Sequence, residues 1–223
     1  MNYIYVVDDS WSRILWHNFY EDDGEIDNIY LGSSHVYQDI NSIKLDEING
    51  QYNFNLAVGG QLLNGSYYLL KEADKNNTLS HVYLELYYQC SVKDNYDSDK
   101  DMIEKAENYE TNWRNTDHMK TSYNKFEYMM SITGAEKYVD TFFPFIRYRT
   151  NLNDWNYIRQ RIETKNTDTY LEYHFDSENE YTEFKKQGYY YSTRKFLDEQ
   201  RLIRQDRILG ENPIGQRSEN IFE

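Results

Sequence analysis

The sequence predicts an α/β fold, with a short parallel sheet in its first 90 residues and a mainly helical, aromatic-rich second half. Three observations predict it. Short apolar runs at 26–31, 52–58 and 82–88 are separated by segments of helical spacing. The first two runs stop at glycine, Gly32 and Gly59-Gly60, as strands entering tight turns do. Strand, turn and helix then recur in order, the pattern of βαβ units and of a three-layer αβα arrangement.

Each element has its own local reason. Residues 3–7 predict a short strand, and Asp9-Ser10 caps a helical turn that runs through Trp16 and Tyr20. Residues 26–31 have the pattern of a buried strand. Ile43, Leu45 and Ile48 belong to a short helix that Asn49-Gly50 ends. Phe54, Leu56 and Val58 alternate along a second strand at 52–58. Residues 62–73 place Leu62, Tyr67, Leu69, Leu70 and Ala73 at mixed helical spacing, with Lys71 and Glu72 outward. Residues 82–88, aromatic and β-branched, form the third strand. Right-handed crossovers bring the tips of parallel strands to one edge, where open α/β sheets bind ligands.

Past Cys90 the character changes, dividing the chain into a βαβαβ portion at 1–90, a polar loop at 91–117, a mainly helical insertion or cover at 118–209 and a polar tail at 210–223. Asp97, Asp99 and Asp101 alternate, but the glycine and distal glutamate of a calcium loop are missing, so the segment reads as a solvated loop or frayed helix. Residues 118–132 read as one helix carrying Met119, Tyr123, Phe126, Met129 and Met130, and 154–165 as another with Trp155, Ile158 and Ile162 on one face. Pro144 interrupts an aromatic run at 139–148. Residues 172–187 are charged and of ambiguous period, Tyr189-Tyr190-Tyr191 predicts an edge strand, and 193–209 reads as helical.

Lys and Arg total 24 against 38 Asp and Glu, a net charge of −14. Residues 1–100 hold 16 acids and 6 bases (−10), the remainder 22 and 18 (−4). So acidic a surface, with no basic stripe, repels phosphate backbones and argues against nucleic acid as a partner. The single cysteine, Cys90, excludes an intramolecular disulfide without settling the compartment. No stretch approaches the ~20 apolar residues of a membrane helix, and the first residues lack the flank and core of a signal peptide, so the chain reads as soluble. The 24 Tyr, 10 Phe and 4 Trp make it 17% aromatic, which suits a core with wet edges or a surface that stacks on sugars.

Gly32-Ser33-Ser34-His35 is the candidate site. A serine at the tip of a buried parallel strand exposes its hydroxyl at the sheet edge, and its own N–H opens the following helix. Gly32 permits the tight turn. Ser34, one step further into the turn, fits a nucleophile better than Ser33. Gly60 at the next strand tip supplies a second main-chain N–H, with Gln61 or Asn55 adding side-chain polarity.

The run Ile26-Asp27-Asn28-Ile29-Tyr30-Leu31-Gly32-Ser33-Ser34-His35 resembles the first block of the SGNH/GDSL hydrolase superfamily, in the branch reading Gly-Ser-Ser-His. Asn53-Phe54-Asn55-Leu56-Ala57-Val58-Gly59-Gly60-Gln61 resembles the second block, where an Asn precedes an oxyanion-hole glycine by five positions. The likeness extends through the helix and strand at 66–73 and 81–86, and more loosely through Asp117-His118-Met119-Lys120 and Phe142-Phe143-Pro144-Phe145. It implies a flavodoxin-like three-layer sandwich and an esterase or O-acyltransferase acting on acylated carbohydrate, with no cofactor or metal. Ser34 would be the nucleophile, and the amides of Ser34 and Gly60 would hold the oxyanion. Gln89 falls where the third-block Asn would stand. Family members often carry an outward-facing membrane anchor, which is not seen here.

The departures are specific. The first-block Asp is Ser33, the third block reads Tyr87-Tyr88-Gln89-Cys90, and none of His17, His35, His81, His118 and His174 has an Asp three residues before it. The missing Asp-x-x-His predicts an N-terminal portion or truncated product. His35 is expected to cap or pack, leaving His118, beside Asp117, as the other candidate base. The alternative is a non-catalytic carbohydrate-binding or interaction module on the same fold. A three-stranded parallel sheet also leaves an apolar edge that self-associates unless residues 118–209 cover it.

Overall fold

The computed structural model describes residues 10–86, 102–134, 137–147, 149, 153–177 and 180–193. The strand expected at 3–7, Gln89, Cys90, the alternating aspartates 97–101, nearly all of the helix expected at 193–209 and the tail lie outside them.

The first half follows the expected order. Helix α1 (Ser10–Glu21) leads into β1 (Asn28–Leu31), α2 (Ser34–Asp39), α3 (Ser42–Asn49), β2 (Asn53–Asn55), α4 (Leu63–Ala73) and β3 (His81–Leu84). The three strands form a parallel sheet in the order β2-β1-β3, so β1 is central. Main-chain pairing continues past β2, with Leu56 N–H donating to Tyr30 O at 2.9 Å and Val58 N–H to Gly32 O at 3.1 Å. Asn41 caps α3 by accepting from Lys44 N at 3.0 Å, and Gly50 ends that helix at φ +68°.

Alternation along the strands divides the core into two layers. Ile29, Leu31, Phe54 and Leu56 join Ile14, Trp16, Phe19, Leu69, Tyr128 and Ile132 in the larger cluster. Tyr30 and Ala57 point the other way, against Val36 and Tyr37 of α2, Ile40 at its C-cap and Leu45 of α3. Helices therefore cover both faces of an α/β sheet. That second face is unusually polar at its amino end. Asn28 Nδ2 donates to Asn53 Oδ1 at 3.0 Å, Asn53 Nδ2 to Asp46 Oδ1 at 2.8 Å, and His81 Nδ1 lies 2.9 Å from Asn28 Oδ1. Tyr30 joins this network through Asn53 Oδ1 at 3.0 Å. Burial raises the Tyr30 hydroxyl above its ordinary pKa, with Tyr83 and Asp46 adding to the effect.

The second half departs from expectation in three places. Residues Met102–His118, all but the last in the segment read as a polar loop or frayed helix, form the long helix α5. Its inward positions include Tyr109, Asn112, Asn115 and Thr116, so polar residues occupy the stripe where apolar periodicity would otherwise show. The helix expected at 118–132 is broken. Helix α5 stops at His118 and α6 (Tyr123–Ile132) begins anew, with Ser122 Oγ accepting from Lys125 N at 3.2 Å. The ambiguous segment at 172–187 forms two strands, β4 (His174–Asp176) and β5 (Tyr181–Phe184), which build an antiparallel sheet with β6 (Tyr190–Ser192), the edge strand expected at 189–191. Between α6 and that sheet lie α7 (Tyr138–Phe142), α8 (Pro144–Arg147) and α9 (Trp155–Lys165). Pro144 opens α8, where its missing N–H costs nothing. Asp154 caps α9 by accepting from Asn156 N and Tyr157 N at 3.0 and 3.1 Å. Among the described residues no helix is long and apolar enough to cross a membrane.

The antiparallel sheet docks on α1 through Trp11, whose ring lies 4.3 Å from Tyr190 and 5.9 Å from Phe184. Its β5–β6 connection also closes the outer side of β2. Gly188, at φ +75°, lies so near that a Cβ there would be 1.7 Å from Asn55 O. Gln187 anchors the contact, donating from Nε2 to Asp46 Oδ2 at 2.6 Å and accepting from Ser42 Oγ at 3.0 Å. The second half thus covers the β2 edge and leaves β3 exposed along its whole length.

Candidate functional site

At the carboxyl end of β1 the chain turns sharply into α2. A Cβ on Gly32 would sit 2.5 Å from Val36 Cγ2 and 2.6 Å from Glu85 Cβ, so space alone requires glycine. Ser33 is buried and stands at the N-cap of α2, with no cap bond from its side chain. Its hydroxyl instead lies 3.1 Å from His35 Nδ1. Ser34 is the first residue of α2 and half-buried. Among the described residues its hydroxyl makes no hydrogen bond to a histidine or carboxylate.

Glu85 holds this turn. It leaves β3 alongside β1, with its N–H donating to Leu31 O at 2.9 Å. One carboxylate oxygen accepts the Ser33 main-chain N–H at 2.6 Å, and the other meets His35 Nδ1 at 2.9 Å. A serine–histidine–carboxylate relay places serine at one ring nitrogen and carboxylate at the other. Here both meet Nδ1. A carboxylate so close requires the proton on that nitrogen, which removes the lone pair that would accept from Ser33. The arrangement is a clamp on the turn. Sequence reasoning passed over Glu85, since nothing in the spacing shows that β3 ends beside the Gly32 turn.

The second bend lies beside the first. Val58 bonds to Gly32 O, Gln61 N–H closes the turn onto Val58 O at 2.9 Å, and Gly60 between them is exposed at φ +72°. The two flanking polar residues face inward. Asn55 Nδ2 donates to Val36 O at 2.9 Å and Ile40 O at 3.2 Å, tying down the C-terminal end of α2. Gln61 is buried and accepts from Asn115 Nδ2 at 2.9 Å, within a network that includes Tyr128 and Asn112. Gln89 lies outside the described residues.

A cavity of about 280 Å³ opens at the same end of the sheet. Its lining includes Val58 and Gly59 from the second bend, Tyr37 from α2, Trp11 from α1, Arg114 from α5 and Phe184 from β5. Tyr37 follows Ser34 by three residues, so the two share a helix face. None of these four side chains was singled out as a site residue. The α5 and β5 contributions come from segments whose fold only tertiary packing reveals.

Two other histidines, His81 and His118, lie away from this turn. His81 belongs to the asparagine network at the opposite end of the sheet. His118 ends α5, but its neighbour Asp117 is committed to Arg147, whose Nη2 lies 2.7 Å from both carboxylate oxygens. Among the described residues no group of three or more His, Cys, Asp and Glu side chains has the arrangement of a metal site. Comparison with known families, curated proteins and solved structures finds no match to this chain.

Proposed function

We propose that the chain carries an SGNH-type serine site on a three-layer αβα fold, that of an esterase or O-acyltransferase acting on an acylated carbohydrate. The observation that supports it most is the 3.1 Å bond from Val58 N–H to Gly32 O, which sets the two glycine-bearing bends side by side. In this reading Ser34 Oγ adds to the ester carbonyl while the amides of Ser34 and Gly60, with Gln89 as a third donor, receive the developing oxyanion. The ester C–O bond then breaks, the serine proton leaves with the sugar hydroxyl, and the acyl group on Ser34 passes to water or an acceptor hydroxyl. Preorganised donors of this kind are typically worth ~10²–10³ in rate each. A fluorophosphonate probe is expected to label the wild type and not Ser34→Ala. No labelling of either removes the catalytic reading.

A second reading is favoured by a different observation. His35 Nδ1 is committed to Glu85, and an aromatic cavity opens beside the turn. These suit a module that binds carbohydrate without transforming it, using Trp11 and Tyr37 as stacking surfaces. Glycan binding on an array, retained in Ser34→Ala and lost in Tyr37→Ala, is the expected result. Absence of binding in the wild type rejects this reading.

A further inference from the structure

We propose that the β3 edge is a homodimer contact, through which two copies pair β3 against β3, antiparallel about a two-fold axis. The two three-stranded sheets then become one continuous sheet.

The exposure is specific to this edge. Val82, Tyr83 and Leu84 are 43%, 47% and 39% exposed, and Leu86 just beyond is 64% exposed. The opposite edge, β2, is closed by Gly188 and Gln187. Sheet edges that stay single are ordinarily guarded by lysine, proline or a bulge. Positions 81–86 hold no lysine and no proline, and β3 pairs with β1 in unbroken register.

The pattern of main-chain groups selects the partner. His81 N–H donates to Asp27 O at 3.2 Å and Glu85 N–H to Leu31 O at 2.9 Å, so odd-numbered residues bond inward to β1. The period of two then turns the main-chain groups of Val82, Leu84 and Leu86 outward. These are also the exposed aliphatic residues. A two-fold axis makes the contact isologous and the strands antiparallel. Centred on Leu84, it sets Leu84 opposite itself and Val82 opposite Leu86 of the second copy. Outward donors then meet outward acceptors, and each aliphatic side chain meets another. Glu85, the only acid in 81–86, falls opposite Tyr83 of the second copy, so no like charges face each other. The contact is therefore self-complementary, which argues for a second copy as the occupant.

Two forces limit its strength. So short a pairing buries less than the roughly 1,000 Å² of a stable interface, and each copy carries a net charge of −14. The dimer is accordingly concentration-dependent and strengthened by salt, which screens the mutual repulsion.

Analytical ultracentrifugation of the full chain tests this across a concentration series at low and physiological salt. The expected result is a dimer fraction that grows with both, and a monomer for Leu84→Lys with an unchanged circular dichroism spectrum. In a Cys90→Ser background, Leu84→Cys places two thiols across the axis at a hydrogen-bonded pair. Their Cα separation of about 5.5 Å is within disulfide range. Mild oxidation should link that variant into dimers and leave Tyr83→Cys largely unlinked. A monomer under all conditions overturns the proposal. So does a dimer that survives Leu84→Lys or links equally at both positions.

Discussion

Glu85 accepts the main-chain N–H of Ser33 at 2.6 Å, fastening the turn after the central strand to the exit of its neighbour. The bond is charge-assisted, and the carboxylate side chain is only 15% exposed against 55% for the His35 ring it also holds. The turn that carries Ser34 is therefore positioned from β3, 50 residues away in sequence from His35.

Removing that carboxylate tests the clamp. Glu85→Ala leaves the Ser33 N–H without its acceptor, and a loss of about 1–3 kcal/mol is expected. Glu85→Gln, which keeps an acceptor oxygen, should lose less. Urea unfolding midpoints compare the three proteins.

The two serines separate in a labelling experiment. Ser33→Ala removes a hydroxyl that neither caps α2 nor holds the main-chain clamp, so fluorophosphonate labelling should persist. Ser34→Ala should abolish it. Labelling that disappears with Ser33 and survives without Ser34 moves the nucleophile by one residue.

Two glycines with left-handed backbones should respond differently to alanine. At Gly50, φ +68°, a Cβ meets nothing within 4 Å, so the cost is the conformational penalty of about 1–2 kcal/mol. At Gly188 the same penalty is joined by a Cβ driven into Asn55 O, and a loss above about 3 kcal/mol is expected. Thermal unfolding of the two variants provides the comparison.

The Asp117–Arg147 pair is almost completely enclosed, with side chains 3% and 7% exposed, and the guanidinium lies 4.3 Å from the Trp113 ring centroid. Breaking it from one side strands a buried charge, so Arg147→Met should cost about 3–5 kcal/mol. The double variant Asp117→Leu with Arg147→Met should recover most of that loss. Chemical denaturation of single and double variants measures it.

Alkaline pH should unfold the protein through its tyrosines. Burial raises the hydroxyls of Tyr20, Tyr52 and Tyr128 far above their usual pKa of 10.0. Glu72 and Asp22 add to the rise at Tyr20 and Tyr52 respectively. The folded state keeps protons that the unfolded chain releases near 10. Their contribution is thus complete below that pH and lost as pH rises above it. Tyrosinate absorbance followed with circular dichroism should show these three ionising only as the fold is lost.

The sequence by itself determined the first half in outline. Glycines closing apolar runs, an alternating Phe54-Leu56-Val58 and a cap at Asn49-Gly50 are local signals, and parallel strand order follows from βαβ connection rules. It also determined which residues lie at the two bends. Helix α5 escaped because a buried threonine and buried asparagines, the latter paired through side-chain hydrogen bonds, replace the apolar stripe that periodicity detects. Apart from its edge strand at 189–191, the antiparallel sheet escaped because its strands are three or four residues long and shaped by docking on Trp11. Only tertiary structure decided that Glu85 clamps Ser33, that Asn55 and Gln61 spend their amides inward, that Trp11, Arg114 and Phe184 meet beside Ser34's helix, and that β2 is covered while β3 is not. Each is a contact between segments far apart in the chain, and no local preference records where a distant partner arrives.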